Sequence, residues 1–297
     1  MRLWSILLFA ALFIAACSRT ECSLEKKNYE CSGFSINEVL VDNVTLTVSE
    51  IRYQSEGLTI QGVLAEPKQG GKRPLLLYNH GGKTGLQSLD WINMLAQNGY
   101  VVLASEFRGE GGSEGEIEVV LGETTDALNL LECGKQLDSV DESSLGVIGF
   151  SHGGGITVQA MELSDDFKAG VEFWGATDIK KRFQNIKDQT DPVYPWVAAV
   201  GKPQGDIQDD LLKRSAIYCV DTITAPLLIF HGKQDRVMPY EYGEDLAAAL
   251  RAAGREYEFV TYDSIGHAFE RPDGSIDADI EADAMQKTVA WFDKYLK

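Results

Sequence analysis

Gly149-Phe150-Ser151-His152-Gly153 sets a serine between two glycines at the end of an apolar run. That spacing suits a tight turn from a strand into a helix, where the backbone is strained and larger neighbours would clash. Such a turn lifts the hydroxyl to the mouth of a sheet, and the helix N-terminus beneath favours developing negative charge. The plainer use of a glycine-rich turn is to hold a phosphate through its amides. A serine hydroxyl is a weak nucleophile until a base takes its proton. Four histidines are available: His80, His152, His231 and His267. His152 adjoins Ser151 and would point away along the turn, whereas His80 and His231 end apolar runs and precede glycine. His267 lies in Asp263-Ser264-Ile265-Gly266-His267-Ala268-Phe269, a loop beyond the run ending at Tyr262, where an imidazole can swing over a serine. A base of this kind needs a carboxylate to fix its tautomer and stabilise its charged form. Asp235 follows the run Leu227–Phe230 by a short loop; Asp263 is so near His267 that reaching the ring correctly is harder. An oxyanion needs two preorganised donors, and the amides of His152 and of Gly82, in Asn79-His80-Gly81-Gly82-Lys83, can supply them. Together these residues predict acyl transfer with Ser151 as nucleophile, His267 as base and Asp235 as orienting acid.

The elements that must carry them read as follows. Val44–Val48 and Gly57–Leu64 alternate with period two, as antiparallel strands with one solvated face do. Beyond Gly70-Gly71 the pattern changes to short continuous apolar runs: Leu75–Tyr78, Tyr100–Ala104, Leu145–Phe150, Ala169–Trp174, Leu227–Phe230 and Tyr257–Tyr262. Runs that are apolar on both faces suit strands covered by helices on each side. Helix-like stretches at Gly154–Leu163, Thr124–Gln136, Tyr240–Ala253 and Ile280–Leu296 alternate with them, which gives an α/β class with a mostly parallel, doubly wound sheet. Residues 176–222 do not fit that alternation. This charged stretch holds Pro192, Pro195 and Pro203 and is too long for a plain connection. It reads as a small cap over the active-site edge, with Tyr194 and Trp196 as candidate substrate contacts or cap packing.

The balance of 45 acidic against 27 basic residues gives a net charge of −18. It argues against nucleic acid as a partner and suits a solvated acidic surface. Residues 1–16 have the layout of an export signal: Arg2, then an apolar run from Leu3 to Ala16 too short for a comfortable membrane span. Ile14-Ala15-Ala16-Cys17 resembles the lipobox of bacterial lipoproteins, in which cleavage before the cysteine is followed by acylation. The resemblance implies lipidation at Cys17, an envelope location and membrane attachment through the lipid. Ser18 stands where an Asp commonly retains such proteins at the inner membrane. Residues 17–35 read as a tether and 36–297 as the folded domain. The remaining Cys22, Cys31, Cys133 and Cys219 permit two disulfides in an exported chain. Cys22 with Cys31 would close a short loop, leaving Cys133 and Cys219 as a second pair or as buried thiols. No Cys-x-x-Cys spacing and no histidine cluster suggests a metal site, and no cofactor is called for.

At this point the residues resemble the prolyl-oligopeptidase-like branch of the α/β-hydrolases, with much shared by dienelactone-hydrolase-like enzymes. The agreement runs from about residue 50 to the C-terminus. It rests on His80-Gly81-Gly82, Arg108-Gly109-x-Gly111 with Gly112-Ser113, Gly149–Gly154, Arg214-Ser215-Ala216, His231-Gly232-x-x-Asp235-x-Val237 and Gly266–Phe269. The resemblance implies an α/β-hydrolase fold, in which the order Ser151, Asp235, His267 is the usual one. It further implies a serine hydrolase acting on a carboxylic ester or a small peptide. Peptidases of that family often carry a β-propeller ahead of the catalytic domain, and the stretch before residue 74 is too short for one. Ester hydrolysis is therefore at least as well matched as peptide hydrolysis. The reading from another class is a non-catalytic envelope binding protein that keeps the fold.

Overall fold

The computed structural model describes residues 22, 24, 26–82, 84–186, 189–191, 194 and 207–297. The export signal, Cys17 and Trp196 lie outside the described residues. Among those described, nine strands form one mixed sheet: β1 (Ser35–Asp42), β2 (Leu46–Ser55), β3 (Leu58–Pro67), β4 (Arg73–Asn79), β5 (Val101–Ser105), β6 (Val140–Phe150), β7 (Phe167–Phe173), β8 (Leu227–Gly232) and β9 (Tyr257–Tyr262). Their spatial order is β1-β2-β3-β5-β4-β6-β7-β8-β9. β1, β2 and β3 pair antiparallel, as does β3 with β5, while β5 through β9 run parallel. The sheet carries α1 (Asp90–Gln97), α2 (Leu121–Gly134), α3 (His152–Leu163), α4 (Ile179–Gln184), α5 (Ile207–Lys213), α6 (Glu241–Ala252) and α7 (Ala278–Leu296). This is the α/β-hydrolase fold.

The continuous apolar runs have a simple cause. In β4, Leu75 and Leu77 point into one core, while Leu76 and Tyr78 point into the other. Val101 and Leu103 oppose Val102 and Ala104 in β5 in the same way. Leu128 and Leu131 of α2, Ile156 of α3 and Leu246 of α6 fill the first core. Trp91 and Leu95 of α1 with Trp291 and Phe292 of α7 fill the second. Each such side chain removed from water contributes about 1.5–3 kcal/mol, so neither face tolerates the polar alternation of a half-solvated strand.

Two elements at the start differ from expectation. An additional edge strand, β1, precedes Val44; its burial pattern is almost wholly exposed, so it lacks the alternation that marks a strand in sequence. The stretch before it does not hang free as a tether: Tyr29, Cys31 and Phe34 pack against the first core, and the Glu30 amide donates to Asn129 Oδ1 at 3.0 Å. The disulfides follow from that path. Cys22 bonds to Cys219 and Cys31 to Cys133, not Cys22 to Cys31. An extended chain of nine residues spans up to about 30 Å, which carries the two cysteines to different partners instead of to each other.

Strand order also places the chemistry. β5 lies on one side of β4 and β6 on the other, so the chain reverses direction across the sheet at the β4–β6 pair. The loops leaving the carboxyl ends of these two strands diverge there and open a crevice. They are the His80-Gly81-Gly82 loop and the Ser151 turn.

Candidate active site

Ser151 joins β6 to α3 with φ 54° and ψ −114°, a left-handed backbone that serine rarely adopts. Four hydrogen bonds hold it there. Its amide donates to the Phe173 carbonyl at 2.8 Å, and its carbonyl accepts from the amides of Gly154 at 3.0 Å, Gly155 at 3.2 Å and Ala176 at 2.9 Å. A conformation costing about 1–3 kcal/mol persists only under such over-determination. A Cβ on Gly149 would overlap the Gly153 carbonyl, and one on Gly153 would overlap the carbonyl of Asn79. The two glycines are therefore the condition for α3 to start this close to β4.

Asp235 lies in the loop after β8, its side chain wholly buried. Its Oδ1 accepts from the amides of Val237 and Met238, both at 2.8 Å, which leaves Oδ2 for His267 Nδ1 at 2.8 Å. His267 Nε2 lies 3.0 Å from Ser151 Oγ. Residues 116 and 32 positions apart in the chain thus form one hydrogen-bonded relay. His231 braces the Asp235 loop through Nε2, 2.8 Å from the Met238 carbonyl. Asp263 is exposed and pairs with Lys233 at 2.7 Å instead of reaching the imidazole.

The His152 ring turns away from Ser151, and its Nε2 accepts from the Val120 amide at 3.1 Å. Burial, with the field of His80 adding to it, lowers its pKa to about 3, so the ring is a neutral acceptor. What it holds is unusual. Val119 and Val120 both have positive φ, 54° and 78°, which for β-branched residues is a genuine outlier. Glu123 Oε1 accepts from the amides of Glu118 at 2.7 Å and Val119 at 3.1 Å, and Arg214 Nη1 donates to the Val119 carbonyl at 3.2 Å. Burial pushes the Glu123 carboxyl up to about 7 against the pull of those amides.

Two hollows meet at Ser151. A recess of about 40 Å³ is lined by Val119, His152, Ala176, Ile179, Arg182, Phe183, Val237 and Met238. A cleft of about 450 Å³ on the other side is walled by Tyr78, Trp91, Phe150, Trp174 and Phe269, with Gly81, Gly82 and His267 at the serine. Ser151 and Val237 belong to both. Gly82 has φ +80° and open space where a Cβ would stand, so the loop presents bare backbone to the cleft.

Of the residues singled out in the sequence, Ser151, Asp235, His267, His152 and Gly82 converge. Tyr194 does not: its hydroxyl accepts from Gln189 Nε2 at 3.4 Å at the surface, and it lines neither hollow. Helix α4 of the inserted stretch supplies Ile179, Arg182 and Phe183 instead. Sequence reasoning passed over Val119, Trp174 and Arg182. Trp174 carried a usable signal, since it ends the apolar run of β7 at the same sheet edge as Ser151. Arg108 turns out to be an internal brace: it is buried and binds Asp126 at 2.8 Å, Glu118 at 2.6 Å and Glu56 at 2.9 Å. Among the described residues, no group of three or more His, Cys, Asp or Glu side chains could hold a metal ion.

Comparison with known proteins agrees with this fold. The family described as "Prolyl oligopeptidase family" matches over residues 87–297. The chain is 26% identical over 222 residues to "Uncharacterized peptidase YtmA" of Bacillus subtilis, covering 74% of this chain and 85% of that protein. Among solved structures it resembles the acylaminoacyl peptidase of Pyrococcus horikoshii, with a TM-score of 0.72 at 21% identity over 85% of this chain. It spans 42% of that larger enzyme. The acetyl xylan esterase of Paenibacillus sp. R4 superposes with a TM-score of 0.69 at 19% identity, covering 89% of both chains.

Proposed function

The chain belongs to the prolyl oligopeptidase family, and from that premise we propose a serine hydrolase that cleaves carboxylic esters through an acyl-enzyme on Ser151. The observation that carries this reading is the relay from Asp235 Oδ2 to His267 Nδ1 at 2.8 Å and from His267 Nε2 to Ser151 Oγ at 3.0 Å. As Ser151 Oγ bonds to the carbonyl carbon, its proton passes to His267 Nε2, and Asp235 stabilises the imidazolium. The oxyanion forms against the amides of His152 and Gly82. Collapse breaks the bond to the leaving group, which departs with the proton from His267. Water then enters, gives a proton to the same nitrogen as its oxygen bonds to the acyl carbon, and collapse breaks the bond to Ser151 Oγ, which takes the proton back as the acid leaves.

Esters are placed ahead of peptides in this reading on the likeness to "Putative esterase YitV" of Bacillus subtilis, 27% identical over 272 residues and covering 82% of this chain and 99% of that protein. The test is a fluorophosphonate probe on the folded protein, mapped by peptide mass spectrometry. Labelling at Ser151 that disappears in His267→Ala supports an activated serine. A folded chain that takes up no probe would turn the assignment towards a binding protein on the same fold.

We further read residues 1–16 as an export signal and Cys17 as the site of lipidation. Two disulfides support export, since such bonds persist in oxidising compartments. Mass spectrometry of the amino-terminal peptide from detergent-extracted protein checks it: an acylated Cys17 is expected, and an unmodified chain beginning at Met1 would refute it.

A further inference from the structure

We infer that the small recess beside Ser151 receives the acyl group, that it admits only short straight acyl chains, and that Val119 is the residue that sets this limit. The inference rests on the serine-hydrolase reading above and names its substrate class: short-chain acyl esters of a bulky alcohol. Sidedness comes first. The leaving group must depart towards the nitrogen that protonates it. His267 lines the 450 Å³ cleft and is absent from the recess, so the cleft holds the alcohol and the recess the acyl chain.

Size follows. The recess offers about 40 Å³ where the cleft offers about 450 Å³, so the recess takes the smaller part of the ester. Its walls are not surface residues that fold away: Val119 is 1% exposed, Ile179 3%, Met238 3%, Arg182 4% and Ala176 9%. Lengthening the chain is opposed at Arg182, whose guanidinium is ion-paired to Asp191 and donates through Nε to the Val237 carbonyl at 3.2 Å. A longer apolar chain would have to bury itself against that pair.

Val119 completes the wall through a backbone that valine disfavours, and four groups hold that backbone: the Glu123 carboxyl, the Arg214 guanidinium, the His152 ring at Val120, and Thr124, whose amide donates to the Val120 carbonyl at 3.0 Å. Glycine would occupy φ 54° without strain and would remove the isopropyl group from the recess. Held in this way, the isopropyl group is packed in the first core and also walls the recess.

The test measures kcat/KM of the full chain on p-nitrophenyl acetate, butyrate and octanoate and on phenylalanyl p-nitroanilide, with active sites counted by fluorophosphonate labelling. We expect octanoate to be at least tenfold poorer than acetate, in line with the discrimination one or more methylenes give in an apolar pocket. Val119→Gly should raise the octanoate-to-acetate ratio by tenfold or more. Ile179→Ala, which opens the recess from α4 without touching the strained turn, should raise it as well. Probe labelling at Ser151 with equal rates on acetate and octanoate would overturn the size limit and leave the hydrolase reading intact. So would ratios that stay fixed in both variants, or turnover of the anilide matching that of acetate. Absence of labelling would remove both readings together.

Discussion

At the scale of single residues, the relay makes sharp demands on protonation and tautomer. Asp235 leaves one oxygen for His267 because the other is taken by two amides. Asp235→Asn would keep the size but let an amide N–H face the ring, favouring the wrong tautomer. We expect kcat on p-nitrophenyl acetate to fall by about 10³–10⁴-fold with the fold intact by circular dichroism. A loss of less than tenfold would mean that another group orients His267. These residues were legible in sequence because each stands a few positions past an apolar run, where strand ends must release a loop. Val119 and Val120 were not: valine is among the residues least suited to positive φ, so no local preference announces a turn that tertiary bonds impose. The sequence places the His152 ring away from Ser151, and the structure uses that ring as one of those bonds.

Among the elements, the braces outweigh local propensity. Arg108 ties the loop after β5 to α2, and Asp126, its principal partner, is entirely buried. Arg108→Ala would strand that carboxylate in the interior, and we expect a loss of about 3–5 kcal/mol in urea unfolding. A change below 1 kcal/mol would show that water reaches Asp126 freely. The Cys31–Cys133 bond closes a separation of 102 residues. Replacing both by serine should cost about 4.7 kcal/mol in the chain-entropy account, read as a lowered melting temperature that reductant no longer changes at that bond. The strands from β4 to β8 were visible as apolar runs because both faces are covered, and β9, at the edge, showed through the partly buried Tyr257, Phe259, Val260 and Tyr262. β1 was not, since an edge strand with exposed Ile36, Val39 and Leu40 shows neither alternation nor a run. Cysteine pairing was illegible for a related reason: it depends on where an irregular segment travels in space, which spacing along the chain does not encode.

For the molecule as a whole, buried titrating groups set the pH of greatest stability. His80, His152 and His231 are all lowered, mainly by burial. Their folded forms resist protonation, so stability present above the unfolded value near 6.5 is lost as pH falls below it. Glu123, Glu162 and Glu172 are raised, again mainly by burial, with Glu172 pushed up to about 8. The folded state keeps those protons where the unfolded chain releases them, so stability declines from about pH 4.5 towards 8. The two trends oppose one another between about 4.5 and 6.5, where the melting temperature should peak. Glu172→Gln should flatten the alkaline decline; an unchanged slope would mean that the carboxyl is already ionised in the fold. The net charge of −18 steepens the same decline, because self-repulsion grows as carboxyls ionise.

The Cys22–Cys219 bond has one more effect, on what a protease can do to this chain. It joins a residue ahead of the sheet to one in the stretch between β7 and β8. Any single backbone cut between positions 22 and 219 therefore yields two pieces that remain covalently joined. A clip after α3 would put Ser151 on one fragment and Asp235 with His267 on the other, yet the three would stay on one molecule. The nicked form would run as an intact chain on a denaturing gel until a reductant is added, and then separate into two bands.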